Sequence, residues 1–248
     1  MALVFDKIYR FKNVDFLNRK AADYIGKLSN TVLRKRQRFT LALSGGSTPV
    51  DLYGLLSTKA YAGKFKKGKV HLFWVDERFV PNSDIANNFG MFCNAFKCKK
   101  NIPAKNIHAI NTNFTTFTQS AKNYQAKLER FFGSENLPQF DLIILGIGAD
   151  GHTASLFPRH KALLETKKWV SAVSIPKEEV SKRISLTLPV LNNAKNILFL
   201  VTGKSKRKIL NKILNFKKPT PAFPVTLLNP KGKVYLFSDI KSFLLDPR

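Results

Sequence analysis

Acidic residues are scarce in this chain. Sixteen Asp and Glu stand against 42 Lys and Arg, for a formal net charge of +26. Cysteine is nearly absent, with only Cys93 and Cys98. With no secretion signal, two such thiols read as reduced side chains and not as a disulfide. They also lack the further Cys or His ligands that a zinc site needs, so no metal is expected. No apolar run reaches the ~18 residues that a membrane helix requires. The opening MALVFDKIYRF carries Asp6 and has no long apolar centre, so it reads as neither a signal nor a transit peptide. The expectation is a cytoplasmic protein without a membrane partner.

What is present is the composition of a folded chain, 44% hydrophobic and 12% aromatic over 248 residues. That length can bury a large core, and with no repeat or long linker it reads as one domain, 1–248. A field of +26 attracts anions in general, phosphorylated metabolites and nucleic acid alike. The lysines are scattered, however: Lys64, Lys66, Lys67 and Lys69, then Lys97, Lys99 and Lys100, then Lys204, Lys206 and Lys208. No RNA-binding signature accompanies them. They read as solvated surface charge, and nucleic acid is not an expected partner.

The chain is organised around residues 141–158, DLIILGIGADGHTASLFP. An apolar run over 142–145 has the pattern of a strand buried on both faces of a parallel sheet. A turn with Gly146, Gly148 and Gly151 follows, where glycine permits positive φ and close approach of the backbone. Asp150 and His152 sit at its mouth. Ligands of open α/β sheets bind at the carboxyl ends of strands. A lone histidine is usually structural; one after three glycines, beside an aspartate and at a strand end, fits a base with its orienting carboxylate.

In chain order, residues 14–37 read as an amphipathic helix and 39–43 as a short strand. Ser44-Gly45-Gly46-Ser47-Thr48-Pro49 then turns into a helix over 50–56. Two glycines and two hydroxyls at a helix start can cradle a phosphate; a plain capped turn is the alternative. It is neither a Walker A loop nor GxGxxG. Residues 70–75 form a strand ending in Asp76-Glu77-Arg78, where Arg78 offers a forked guanidinium or belongs to a salt-bridged loop. Helices are expected over 87–96, 121–132 and 205–215. Strands are expected over 169–175, 184–188, 197–201 and 234–237, the last at a sheet edge.

SGGSTP, VDERFVP and LGIGADGHTASLFP thus lie on three successive strand ends. Together they resemble the 6-phosphogluconolactonase family. Later blocks agree: Pro176-Lys177, then RISLTLP at 183–189, then Val201-Thr202-Gly203 with Lys206. The resemblance covers about residues 39–206, with a weaker match at 234–237. It implies an α/β fold of modified Rossmann-like type, a mostly parallel sheet flanked by helices. It also implies hydrolysis of 6-phosphogluconolactone in the oxidative pentose phosphate pathway, with no cofactor. Glucosamine-6-phosphate deaminases share the fold. They typically carry Asp-Glu-Tyr where Asp76-Glu77-Arg78 stands, and Phe-Asn-Glu where this chain has Ser155-Leu156-Phe157-Pro158. The chain departs from the lactonase pattern at Asn87, at Ala149, at Arg159 in place of a common Gly, and at Glu178-Glu179 after Lys177.

The site implied is catalytic His152, Asp150 and Arg78, with Gly46, Ser47, Thr48, Arg183 and Lys206 holding the phosphorylated sugar lactone. His152 would deprotonate water, with Asp150 orienting it or holding the turn. Arg78 and backbone N–H groups of the 148–151 turn would stabilise the oxyanion. Arg183 and Lys206 also admit readings as exposed surface charge. A monomer is the working expectation. The competing functions are a sugar-phosphate deaminase and a non-enzymatic binder of sugar phosphate or nucleic acid.

Overall fold

A computed structural model describes residues 3–62, 68–97, 102–176 and 178–240. Cys98, Lys64, Lys66, Lys67, Lys99, Lys100 and Lys177 lie outside them. Among the described residues two strands are buried throughout. β2 (Phe39–Leu43) and β6 (Leu142–Leu145) have no exposed residue. They stand at the centre of a seven-stranded sheet with β1 (Lys7–Arg10), β3 (Val70–Trp74), β5 (Ile107–His108), β9 (Asn196–Val201) and β10 (Lys233–Ser238). The order is β1-β10-β9-β6-β2-β3-β5, and every pairing is parallel.

Helices α1 (Val14–Lys35), α2 (Ser47–Ser57), α3 (Lys59–Ala62) and α4 (Asn88–Phe96) precede α5 (Phe117–Phe132), α6 (Leu188–Asn192) and α7 (Arg207–Asn215). α1 buries Leu17, Ala21, Ala22, Ile25 and Leu33, the stripe expected of an amphipathic helix. α1, α2 and α4 pack in a row. α5 begins four residues before its expected start because Thr116 and Gln119 form a reciprocal capping box.

The position of β10 corrects the sequence reading. It is not an edge strand: β1 pairs along it, with Lys7 opposite Tyr235 and Arg10 opposite Ser238. β1 escaped notice because KIYR carries three polar or amphipathic residues, the composition of a charged edge.

A second sheet is small and antiparallel: β4 (Asp76–Arg78), β8 (Lys182–Leu186) and β7 (Val170–Ser174), in that order. The chain changes sheets at Val75, whose N–H donates to Leu43 O and whose carbonyl accepts from Leu186 N–H. Tyr124 OH satisfies both backbone groups of Trp74 beside this crossing, at 2.9 and 2.8 Å. The expected strand over 70–75 and the charged triplet after it therefore belong to different sheets. This crossing carries Arg78 to the mouth of the large sheet.

Candidate active site

From β2 the chain moves outward through β3 to β5. From β6 it moves the other way, through β9 to β10. The two central strands therefore diverge at their carboxyl ends, which is where such sheets open a crevice. A cavity of about 230 Å³ lies there. It is lined by Gly46, Ser47, Thr48, Arg78, His152, Arg183 and Lys206, every residue the sequence proposed except Asp150. Asp150 instead holds His152 from behind.

The first wall is the start of α2. The helix begins at Ser47, three residues earlier than its apolar pattern suggests, so Ser47 and Thr48 are its first turn. Gly46, at φ +99°, is its N-cap and supplies no side-chain cap. The leading N–H groups and the positive end of the helix dipole therefore face the cavity. Thr48 Oγ1 meets Thr202 Oγ1 at 3.0 Å, tying this turn to the end of β9. Gly45 is required by its neighbour: a Cβ there would lie 1.7 Å from Asn88 Oδ1.

Asn88 organises the second wall. Its Nδ2 donates to Asp76 O at 2.8 Å, and its Oδ1 accepts from Arg78 Nη1 at 2.9 Å. Arg78 Nη1 also donates to Ala86 O at 2.8 Å. Arg78 Nε is buried and has no protein acceptor. Glu77 points the other way and accepts N–H bonds from Arg78, Asn88 and Phe89 at the start of α4. Burial pushes its carboxyl up to about 8 against the pull of those three donors. Asp76 accepts from Ser155 Oγ at 2.6 Å, which ties β4 to the histidine turn.

Arg183 stands opposite Arg78 in the β4–β8 ladder. It is 7% exposed, which removes the reading as a solvated strand-edge charge. Its Nε donates to Val180 O, and its Nη2 pairs with Glu178 Oε2 at 2.9 Å. Burial, then the Arg78 charge, lowers its pKa.

The third wall is the turn after β6. His152 Nδ1 lies 2.6 Å from Asp150 Oδ1, and His152 N–H donates to the same oxygen at 3.1 Å. Burial works to raise the Asp150 carboxyl, but the bonds from His152 outweigh it, and the group sits below the ordinary carboxylate value. With Asp150 ionised the proton of this bond lies on Nδ1, and in the neutral ring Nε2 is then the acceptor. Gly148 has to be glycine, since a Cβ there would fall 2.1 Å from His152 Nδ1. The expected use of this turn's N–H groups fails in part. Gly148 N–H donates to His152 O and Gly151 N–H to Gly148 O, so neither is available to an oxyanion.

Uncapped helix start, two arginines and one lysine face a histidine whose second nitrogen is accepting. That set suits an anion-tethered substrate beside a general base. Among the described residues no group of three or more His, Cys, Asp or Glu could hold a metal ion. No helix among them is long and apolar enough to cross a membrane.

Residues 12–236 match the family model described as glucosamine-6-phosphate isomerases/6-phosphogluconolactonase. The chain belongs to this family. A 6-phosphogluconolactonase of Nostoc is 34% identical over 222 residues, covering 89% of this chain and 90% of its own. The human 6-phosphogluconolactonase is 37% identical over 206 residues, 82% of this chain and 79% of its own. The solved 6-phosphogluconolactonase of Trypanosoma cruzi superposes with a TM-score of 0.83 at 27% identity, covering 96% of each chain.

Within the family pattern, the sequence reading passed over three side chains. Asn88 reads from the sequence as the start of a helix, yet it accepts from Arg78 and fixes it. Ser155 and Phe157 enter the sequence reading only in the stretch that differs from deaminases, yet Ser155 bonds Asp76 and the Phe157 ring stacks on His152 at 4.3 Å between centroids. The available signal was position: each lies in or beside a motif already singled out.

Proposed function

We propose that this chain is a 6-phosphogluconolactonase, hydrolysing 6-phospho-D-glucono-1,5-lactone to 6-phospho-D-gluconate in the oxidative pentose phosphate pathway. The observation that carries the reading is the Asp150–His152 pair opening on a cavity ringed by phosphate-binding groups. A δ-lactone is an activated ester, so it needs no covalent nucleophile. The phosphate would rest on Gly46, Ser47 and Thr48, with Arg183 and Lys206 closing over it. Binding energy gained at this remote group orients the ring. His152 Nε2 would take a proton from water as the water attacks C1, and Asp150 would stabilise the imidazolium formed. Arg78, whose guanidinium lines the cavity, would stabilise the oxyanion by its charge. Collapse of the tetrahedral intermediate expels the ring oxygen, which receives the proton from His152. A cytoplasmic monomer working without metal or cofactor, and binding no nucleic acid, completes the reading.

The family description also covers isomerases. A deaminase reading lacks the glutamate expected after Asp-Gly-His, where Ser155-Leu156-Phe157 stands. The test is a coupled assay. Glucose-6-phosphate dehydrogenase generates the lactone, and 6-phosphogluconate formation is followed above the spontaneous rate. Acceleration by the protein supports the lactonase. Ammonia release from glucosamine 6-phosphate without that acceleration would replace it.

A further inference from the structure

We propose that Phe157 is a positioning residue for two functional groups at once, holding the His152 imidazole and the Arg183 guanidinium on one aromatic ring. The proposal rests on the lactonase reading of the site for its kinetics, and on geometry alone for its structural half.

Two observations carry it. The Phe157 and His152 rings lie nearly parallel, 23° apart, with centroids 4.3 Å apart. The Arg183 guanidinium carbon lies 5.2 Å from the centroid of the same phenyl ring. The burial of Phe157 is also unusual in kind. It is only 6% exposed, yet it stands outside the contiguous cluster of buried apolar side chains that makes the core. Its neighbours Leu156 and Leu163 belong to that cluster. Burial removes the ring from water whatever covers it, so what distinguishes Phe157 is the identity of the covering groups. Here the covering groups are a histidine and an arginine.

The segment that presents the ring is anchored at several points. Thr153 Oγ1 donates to Gly146 O at 2.9 Å, Ser155 N–H to Ser185 Oγ at 3.2 Å, and Ser155 Oγ to Asp76 Oδ2 at 2.6 Å. Ala154 between them takes the left-handed region, at φ +52°. These bonds tie the ring to β4, β6 and β8 together, so its place does not depend on His152 or Arg183.

The chemistry follows from the ring's quadrupole. Its face attracts cations and tolerates a neutral imidazole. Arg183 is held by charge attraction whatever the reaction stage. His152 gains the attraction only when it takes the proton from water, so the face favours the transition state over the ground state. The other charged groups about this imidazole are Asp150 on its own turn, Asp76 and Arg78 on β4, and Lys206 beyond β9. Glu178 faces Arg183 from the 175–181 loop. None of them supplies a flat apolar surface.

The test compares wild type with Phe157→Leu and Phe157→Tyr. Leucine keeps apolar bulk and removes the π face. We expect kcat to fall about tenfold and KM to rise several-fold in Phe157→Leu, within the range of cation–π contributions. The acid limb of the kcat/KM profile should move to lower pH, because the imidazolium loses a stabilising face. Phe157→Tyr should restore all three. A purely structural role would lower thermal stability in both variants and leave the acid limb in place, and that outcome overturns the proposal. A second measurement needs neither a folded variant nor turnover. In wild type, the His152 ring protons should show the upfield ring-current shift of a stacked phenyl in the NMR spectrum. Unshifted protons would also overturn the proposal. An upfield shift in a protein that fails the lactone assay would instead leave the stack standing and remove the lactonase reading.

Discussion

Arg78 and Arg183 occupy directly opposed positions in the antiparallel β4–β8 ladder. Like charges facing each other across a sheet are destabilising. The structure tolerates them with partial compensation: Glu178 pairs with Arg183, Ala86 O and Asn88 Oδ1 accept from Arg78, and the Asp76 charge acts on Arg183. A substrate with its phosphate at Arg183 and its developing oxyanion at Arg78 would complete that compensation.

Arg183→Gln should therefore raise KM for the phosphorylated lactone by roughly 10- to 100-fold, the range of a charge-assisted hydrogen bond, with kcat changed far less. Lys206→Ala should raise KM in the same direction but less, since the ammonium is a point charge without a fork. Steady-state kinetics on the coupled assay decide this. An unchanged KM in either variant would withdraw that residue from the phosphate site.

His152→Ala should fold normally and lose roughly 10²–10⁴ in kcat, the usual yield of general acid–base catalysis. Asp150→Asn keeps the shape of the pair but no longer fixes the proton on Nδ1, so it should lose part of that factor. Near-normal turnover by a folded His152→Ala protein would end the assignment.

A pH effect on stability arises far from the site. His71 Nδ1 and His108 Nε2 lie 3.0 Å apart, a bond that needs one ring as donor and the other as acceptor. Burial, then His71 and Lys127, pushes His108 down to about 4; burial, then Arg38 and Lys105, lowers His71. Between about 4 and histidine's ordinary value near 6.5, the unfolded chain binds more protons than the folded one. Stability from the pair is thus complete above pH ~6.5 and is lost as pH falls toward 4. The drop in Tm from pH 7 to pH 4.5 should be smaller in His108→Gln than in wild type. The comparison separates the pair from carboxylates that titrate in the same range, and equal drops would refute the link.

Arg159 sits at φ +57°, where a Cβ is unfavourable. It is exposed, and its side chain stands where glycine is common in the resembling family. Arg159→Gly should gain up to about 1 kcal/mol, the relief of left-handed strain less the added chain entropy of glycine. Urea unfolding of the two proteins measures it, and a loss of stability would show that the arginine side chain holds the turn.

The centre of the large sheet was legible because β2, β6 and β9 are buried along nearly their whole length and read as largely apolar runs. Residues 39–43 and 142–145 needed no adjustment. The antiparallel sheet was not legible as a sheet, because nothing in VDER announces that Val75 changes partners. The same holds for β1, which is polar and derives its identity only from β10. Within the site, Gly46, Ser47, Thr48, Arg78, Arg183 and Lys206 could be named from motif chemistry. Asn88 and Phe157 could not, since their work lies in what they touch across the fold. The spent N–H groups of Gly148 and Gly151 were invisible for a similar reason: a turn's internal bonds depend on its closed geometry.

The pairing of β1 with β10 also dictates an order of events during synthesis. Asp6 accepts from Val234 N–H and Lys233 Nζ, and among the described residues β1 has no other partner in the sheet. At roughly 5–20 residues per second, β1 leaves the ribosome about 11 to 45 seconds before the strand it docks on. For that interval the first strand is a tether without a mooring, while α1 and β2 can already begin to pack. A nascent chain stalled before residue 233 should yield the 3–11 segment to protease, and release past residue 238 should protect it.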